Sequence, residues 1–348
     1  MTQFLAFDGH NDLLSKRRPS EAVDAFAKGD GMGHLDAPRM RAGGLMGGLF
    51  AIYVPNPPDT PFDMAAMMQP SYDLPLPPQL SPDWAQSKTL EQAALLLRLG
   101  ESGLLKVCTT AAEIEAAMHA GDIAAVMHIE GAEGLDPNLH LLDVLYAAGL
   151  RSLGPVWSRP NAFGQGVPFR FPSDSDLGPG LTDAGKALVK RCADLKIAVD
   201  TAHMTLKEFK DVATLSGQPI IASHSNAQAA CQHTRNLSDD QLRMIGETKG
   251  IAGLNFATAF LREDGQMRAD TPLSDMLLHL DHMLTLAGED CVGLGSDFDG
   301  AVVPSEIKDC AGLPVLAEAM LTHGYGRDLV DKIFHKNWLR VLQTIWGA

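Results

Sequence analysis

Eight short apolar, β-branched runs recur along this chain, separated by stretches of helical periodicity. That alternation restricts the folds open to it more than any other feature. The runs lie near 4–10, 48–54, 123–130, 150–157, 196–202, 219–224, 250–256 and 291–297. Between them, 89–103 and 139–149 carry apolar residues at i, i+3, i+4 spacing and end at glycine. Segments 181–195 and 237–250 open on Thr182 and Ser238 as N-caps, and 326–345 is a further amphipathic helix. Strands alternating with helices specify parallel β-α units, and eight such units close a barrel. The expected fold class is therefore α/β, a (β/α)8 TIM-type barrel spanning residues 1–348 as one domain. A doubly wound open sheet is the alternative, weakened because no Gly-x-Gly-x-x-Gly follows the first strand. Proline-rich 55–82 and Gly/Pro/Ser/Asp-rich 158–180 read as long loops. Both follow a strand, so both belong at the C-terminal rim, where barrels of this kind build their sites.

Composition narrows the function. Of 348 residues, 45% are hydrophobic and 20% charged, as in an ordinary soluble globular protein with a large core. A net charge of −15 with no basic run argues against nucleic acid or an acidic membrane as partner. The N-terminal MTQFLAFDGHND lacks the pattern of a signal peptide, and no apolar run is long enough to span a bilayer, so a cytoplasmic location is expected. Cys108, Cys192, Cys231, Cys291 and Cys310 are odd in number and show no Cys-x-x-Cys spacing, which fits buried thiols rather than a disulfide framework.

Strand interiors should be apolar, yet the carboxyl ends of five runs are not. The first ends in His10 and Asp12, the third in Glu130, the fifth in His203, the sixth in His224, and the eighth in Asp297 and Asp299. Residues i and i+2 of a strand share a face, so His10 and Asp12 can aim at one point. Taken singly, such residues are usually solvated or cap the next helix. Together they place three imidazoles and two or three carboxylates at one barrel mouth. That donor set suits Zn²⁺, with Mn²⁺ or Fe²⁺ also admissible. Its size fits two metals, with one carboxylate bridging and one left for proton transfer. His128 shares strand parity with Glu130 and is read as lining. His34, His119, His140, His233, His279, His282, His323 and His335 fall in loops or helices and are expected in solvent.

The ordered set "DGHNDLL", "HIEGAEGL", "DTAHM", "SHSN" with Arg235 eleven residues after its histidine, and "GLGSDFDG" resembles the membrane (renal-type) dipeptidase family, binuclear zinc peptidases of the amidohydrolase-like barrel superfamily. The resemblance covers nearly the whole chain. It implies that His10 and Asp12 bind one metal, His203 and His224 the other, and Glu130 bridges the two. It implies a metal-bridging hydroxide attacking the peptide bond of a small dipeptide, with tolerance of a D-residue at the C-terminal position. Asp297 would move the proton, with Asp299 structural, and Arg235 would pair with the substrate carboxylate. It also admits a homodimer.

One departure stands out. Many family members carry a histidine after the fourth strand that holds the carbonyl oxygen as charge develops. Here, with Asn161 aligned to the family's asparagine, Trp157 takes its place. An indole has one N–H and no cationic form, and losing such a donor typically slows a reaction about 10²–10³-fold. Either Trp157 donates weakly, or Arg159 swings in with the charge, or the pocket takes a changed substrate. The same chemistry would serve N-acyl amino acids or β-lactams. A barrel retained for metal binding alone is a further alternative. A phosphoesterase would need basic residues at the mouth, where only Arg159, Arg170 and Arg235 offer themselves.

Overall fold

Eight strands run in chain order around one sheet in the computed structural model, which describes residues 4–16, 22–59 and 64–347. They are β1 (Ala6–Asn11), β2 (Leu45–Tyr53), β3 (Ala124–Glu130), β4 (Leu150–Gly154), β5 (Ala198–Val199), β6 (Ile221–Ala222), β7 (Ile251–Leu254) and β8 (Val292–Leu294). Except at β5 and β6, each pairs in parallel with its chain neighbour, and β8 returns to β1. The seam between β5 and β6 is closed by a single parallel bridge, Asp200–Ile221. There the backbone N–H and the hydroxyl of Thr201 both donate to the Ile221 carbonyl at 2.7 Å. This is the TIM-type barrel that the eight runs predict. An additional strand, Lys106–Val107, lies beside the start of β3.

Strands of a parallel barrel are covered on both faces, which is why β1 and β3 are buried at every residue. The C-terminal helix Asn337–Trp346 covers part of the wall, and its Trp338 indole donates to the Leu294 carbonyl at 2.8 Å. A Cβ at Gly9 would stand 2.2 Å from that indole, so only glycine admits the ring here. All five cysteines are buried and unpaired. No helix among the described residues is long and apolar enough to cross a membrane.

Several expected boundaries move. The helix read at 89–103 begins at Pro82, because Ser81 caps it and a proline at its start is already set for helix. Thr182 and Ser238 do cap their helices. The strands β5, β6 and β8 are shorter than their apolar runs, so His203, His224 and Asp297 stand on the turns that follow. Within the two predicted loops, Tyr72–Asp73 pairs antiparallel with Arg170–Phe171 and ties one rim segment to the other. Residues 60–63 of the first loop fall outside the described residues. His233 and His279 are buried, not solvated. His279 accepts the Ala227 N–H at 3.0 Å and sits 2.9 Å from the Leu261 carbonyl. His233 accepts the Arg235 N–H and packs against Phe260.

Candidate active site

The barrel mouth gathers side chains that the strand ends carry there. His10 and Glu130 project from β1 and β3. His203 and Asp297 sit on turns with φ of +65° and +59°, a region few non-glycine residues enter. Both lie three or four residues beyond their strand's last residue, on turns whose left-handed residue carries the side chain at the mouth. Glu130 Oε1 lies 3.0 Å from His203 Nε2, 3.4 Å from His224 Nε2 and 3.6 Å from His10 Nε2. Asp12 Oδ2 stands 3.5 Å from His10 Nε2. An ideal Cβ at Gly300 would fall 2.2 Å from both Asp12 Oδ2 and Asp297 Oδ1, so the missing side chain leaves these carboxylates their space.

Partners behind the imidazoles orient them. His203 Nδ1 meets Ser158 Oγ and His224 Nδ1 meets Ser223 Oγ, each at 2.8 Å. The Ser223 hydroxyl donates to Asp200 Oδ2 at 2.5 Å, so its oxygen accepts from His224 Nδ1–H. His224 Nε2 is then a bare lone pair, 3.1 Å from His203 Nε2 and facing a carboxylate oxygen. Among the described residues neither ring nitrogen of His10 has a hydrogen-bond partner, although the side chain is fully buried. Lone pairs and carboxylates at such distances repel one another unless positive charge lies between them.

The electrostatics agree. Burial pushes His203 and His224 well below the ordinary histidine range, where the nearby Arg235 charge also drives them. Burial raises the Glu130 and Asp297 carboxyls, and Asp12 raises them further. Burial opposes charge on His10, yet Glu130, Asp12 and Asp297 outweigh it and lift that ring to about 10. The cluster therefore has carboxylates in excess and too little positive charge from its own side chains. His10, Glu130 and His224, and likewise His10, Asp12 and Asp297, present donor atoms within 4.8 Å of one another. Imidazole nitrogens and carboxylate oxygens in this arrangement fit divalent cations such as Zn²⁺.

The other predicted residues divide. Asn255 Nδ2 donates to Asp297 Oδ2 at 3.0 Å, leaving Oδ1 for the mouth. Asp299, with φ of +69°, also lines the cavity, but its carboxylate receives the His34 backbone N–H and its own N–H donates to His34 Nδ1. Neither Asp297 nor Asp299 lies in a strand, so their two-residue spacing does not put them on one face. Arg235 is buried beside the cluster. One of its amino groups donates to the His224 carbonyl at 3.1 Å, and Nε has no partner. Burial lowers its pKa to about 10 against the opposing pull of Asp297, Glu130 and Asp200. Trp157 lines the mouth, packed edge-on against Tyr53 with ring centroids 5.1 Å apart.

Arg159 is not brought into the cluster. Its guanidinium lies against Trp157, 4.9 Å from the ring centroid, and donates to Glu133 Oε1 and the Val54 carbonyl, each at 3.0 Å, and to Asn56. Both charges of the Arg159–Glu133 pair are buried. Removing one partner of such a pair typically destabilises by about 3–5 kcal/mol. Arg159→Met is thus expected to reduce stability by that order in denaturant unfolding while kcat/KM stays within threefold. A larger loss in kcat/KM with unchanged stability would instead return Arg159 to the reacting centre.

Sequence reasoning missed Asp200, Ser223, Ser158 and Asn255. Asn255 was detectable as a polar end to the seventh run. The serines carry no signal of their own, since a hydroxyl earns its place only through what folds against it. Also unforeseen is the apolar wall of the cavity, about 350 Å³ in volume, where Tyr53, Met64, Met67, Phe169 and Phe260 face the cluster.

Comparison with known proteins agrees with this geometry. Residues 1–346 match the membrane dipeptidase family, peptidase family M19. Among solved structures, dipeptidase AC, a metallo peptidase of M19, is 50% identical with a TM-score of 0.97, over 100% of both chains. A metallo peptidase from Rhodobacter sphaeroides liganded with a phosphinate mimic of the dipeptide L-Ala-D-Ala is 49% identical, with a TM-score of 0.97, over 99% of this chain and 100% of its own. A protein in the pqqA 5′ region of Klebsiella pneumoniae is 46% identical across 258 residues, 74% of this chain and 95% of that relative. A fold, a mouth lined with metal-type donors and a family match over nearly its full length together make this chain a member of the membrane dipeptidase family, peptidase family M19, whose members are metal-dependent hydrolases.

Proposed function

We propose that this chain hydrolyses the peptide bond of small dipeptides, a D-residue being accepted at the C-terminal position, with two divalent metal ions, most simply Zn²⁺. His10 and Asp12 would hold one, His203 and His224 the other, and Glu130 both. The observation that carries this reading is the convergence of three imidazole Nε2 atoms on one Glu130 oxygen, within 3.6 Å. When bound, two such cations would polarise the scissile carbonyl and lower the pKa of a shared water, so that hydroxide would be available near neutral pH.

The chain's own residues supply the rest. Asp297, anchored through Oδ2 by Asn255, offers Oδ1 to take a proton and pass it to the leaving amine. Arg235 provides a buried guanidinium for the substrate's carboxylate, a pairing that suits its planar fork. Trp157 shapes the wall at the position where the family resemblance implies a histidine, and Arg159 backs its ring. A cavity of about 350 Å³ is at the small end for ligand pockets, which span roughly 300–1,000 Å³, and that favours a compact substrate. The stereochemistry is supported by the R. sphaeroides relative, 49% identical and liganded with an L-Ala-D-Ala mimic.

Metal removal tests this directly. The purified protein is expected to carry about two zinc equivalents by plasma mass spectrometry and to turn over L-Ala-D-Ala, as a binuclear site requires. Chelation should abolish turnover, and added Zn²⁺ should restore it. Metal without dipeptide turnover, but with hydrolysis of N-acyl amino acids, would move the substrate class. Failure to bind metal after reconstitution would sink the proposal.

A further inference from the structure

Two aspartates in this barrel clasp the neighbouring strand in the same way. Asp8 on β1 accepts the N–H and the hydroxyl of Ser296, after β8, at 2.7 and 2.6 Å. Asp200, after β5, accepts the N–H and the hydroxyl of Ser223, after β6, at 2.7 and 2.5 Å. Both clasps are buried. Each serine oxygen keeps lone-pair capacity once its proton is committed to the aspartate, and the two clasps use it differently. Ser296 Oγ accepts the Phe298 N–H at 3.1 Å and so shapes the loop that carries Asp297. Ser223 Oγ accepts from the His224 imidazole at 2.8 Å.

The geometry points to Asp200 as a positioning residue that acts through Ser223 to hold His224 in its Nδ1–H form, aiming the Nε2 lone pair at Glu130 and at the metal proposed there. This rests on the metal-site reading above and extends it to the proton arrangement that makes the site competent. A carboxylate has no donor, so the Ser223 proton must point to Asp200 and the Ser223 oxygen must receive the imidazole N–H. An amide at position 200 could instead donate to Ser223. The hydroxyl would then turn to His224 Nδ1, moving the ring proton to Nε2, where it blocks ligation. His128 stands behind the same carboxylate, its Nε2 3.6 Å from Asp200 Oδ2 and its Nδ1 2.9 Å from Ser152 Oγ. Asp200 also forms the only bridge joining β5 to β6 among the described residues, which ties the proton arrangement to the closing seam of the barrel.

The test uses the full chain, in wild-type, Asp200→Asn, Ser223→Ala and Ser223→Thr forms. Zinc affinity is measured by competition with a chelating dye, and the histidine tautomers of the metal-free protein by nitrogen-15 NMR. Supporting partners of a metal-bound histidine are typically worth about 10–100-fold in affinity. Asp200→Asn and Ser223→Ala are expected to weaken one zinc equivalent by that factor and leave the other unchanged. Ser223→Thr, which keeps the hydroxyl, should stay within threefold of wild type. One histidine with an Nδ1–H signature in wild type should lose it in Ser223→Ala, a change that a purely structural clasp would not produce. Ser223→Ala keeps the backbone N–H on Asp200, so it decides the matter even if Asp200→Asn fails to fold. Folded Ser223→Ala with both zinc affinities and the tautomer unchanged would overturn the inference. A wild type that binds no zinc would instead count against the metal site, and the tautomer comparison would still judge the role of Asp200.

Discussion

Glu130→Gln is expected to lower kcat/KM for L-Ala-D-Ala by about 10⁴-fold or more, the scale on which removing one member of a unit that acts together is felt. Glutamine keeps the shape of the side chain and removes only its charge, so packing should survive. What is lost is the shared anion toward which three imidazoles point, at 3.0, 3.4 and 3.6 Å. An amide also presents N–H groups to those lone pairs, one of which would bond a nitrogen meant for metal. The variant should therefore melt near wild type yet retain less than one tightly bound zinc, and added Zn²⁺ should not rescue it. If Glu130→Gln kept its metal content and activity within tenfold, Glu130 would not be a bridging ligand and the site would have to be redrawn around His10, Asp12 and Asp297, the other donor group.

Asp297→Asn is the second large effect. General acid–base groups contribute typically 10²–10⁴-fold, and the loss should fall on kcat while KM and metal content hold. The reason is placement. Asn255 restrains one oxygen, and the other lies near Asp12 Oδ2 in the space left by Gly300. The asparagine can still accept from Asn255 but cannot take a proton. Single-turnover rates and zinc content on the same sample separate the possibilities. A kcat deficit with full metal identifies the proton carrier, whereas loss of one zinc equivalent would make Asp297 a ligand.

Much of this was legible beforehand because two kinds of signal are local. A buried parallel strand must be apolar throughout, so each of the eight runs announced itself, and a polar residue at its end had to have a reason to be there. That contrast singled out His10, Asp12, Glu130, His203, His224, Asp297 and Asp299, and the family resemblance set Asp297 ahead of Asp299. The different placement of Asp297 and Asp299 is equally physical. Both have positive φ, and no spacing rule foresees a turn into the left-handed region at a non-glycine residue. Arg159 is held away from the cluster for a different reason. Its sequence neighbourhood, next to Trp157, suggested a free cation at the mouth. The partner that neutralises it, Glu133, comes from the loop after another strand, and only folding brings the two charges to 3.0 Å.

The amino-acid sequence by itself determined the barrel, the rim loops and the set of side chains available at the mouth, since periodicity, capping and strand-end polarity act over a few residues. The tertiary structure alone decided which of those side chains meet, which oxygen faces each nitrogen of His224, and that Arg159 is committed to Glu133 behind Trp157. Those outcomes depend on contacts between residues far apart in the chain, such as Asp8 with Ser296 and Asp200 with Ser223. Their energies come from burial and from fixed hydrogen-bond geometry, and neither exists until the strands have closed.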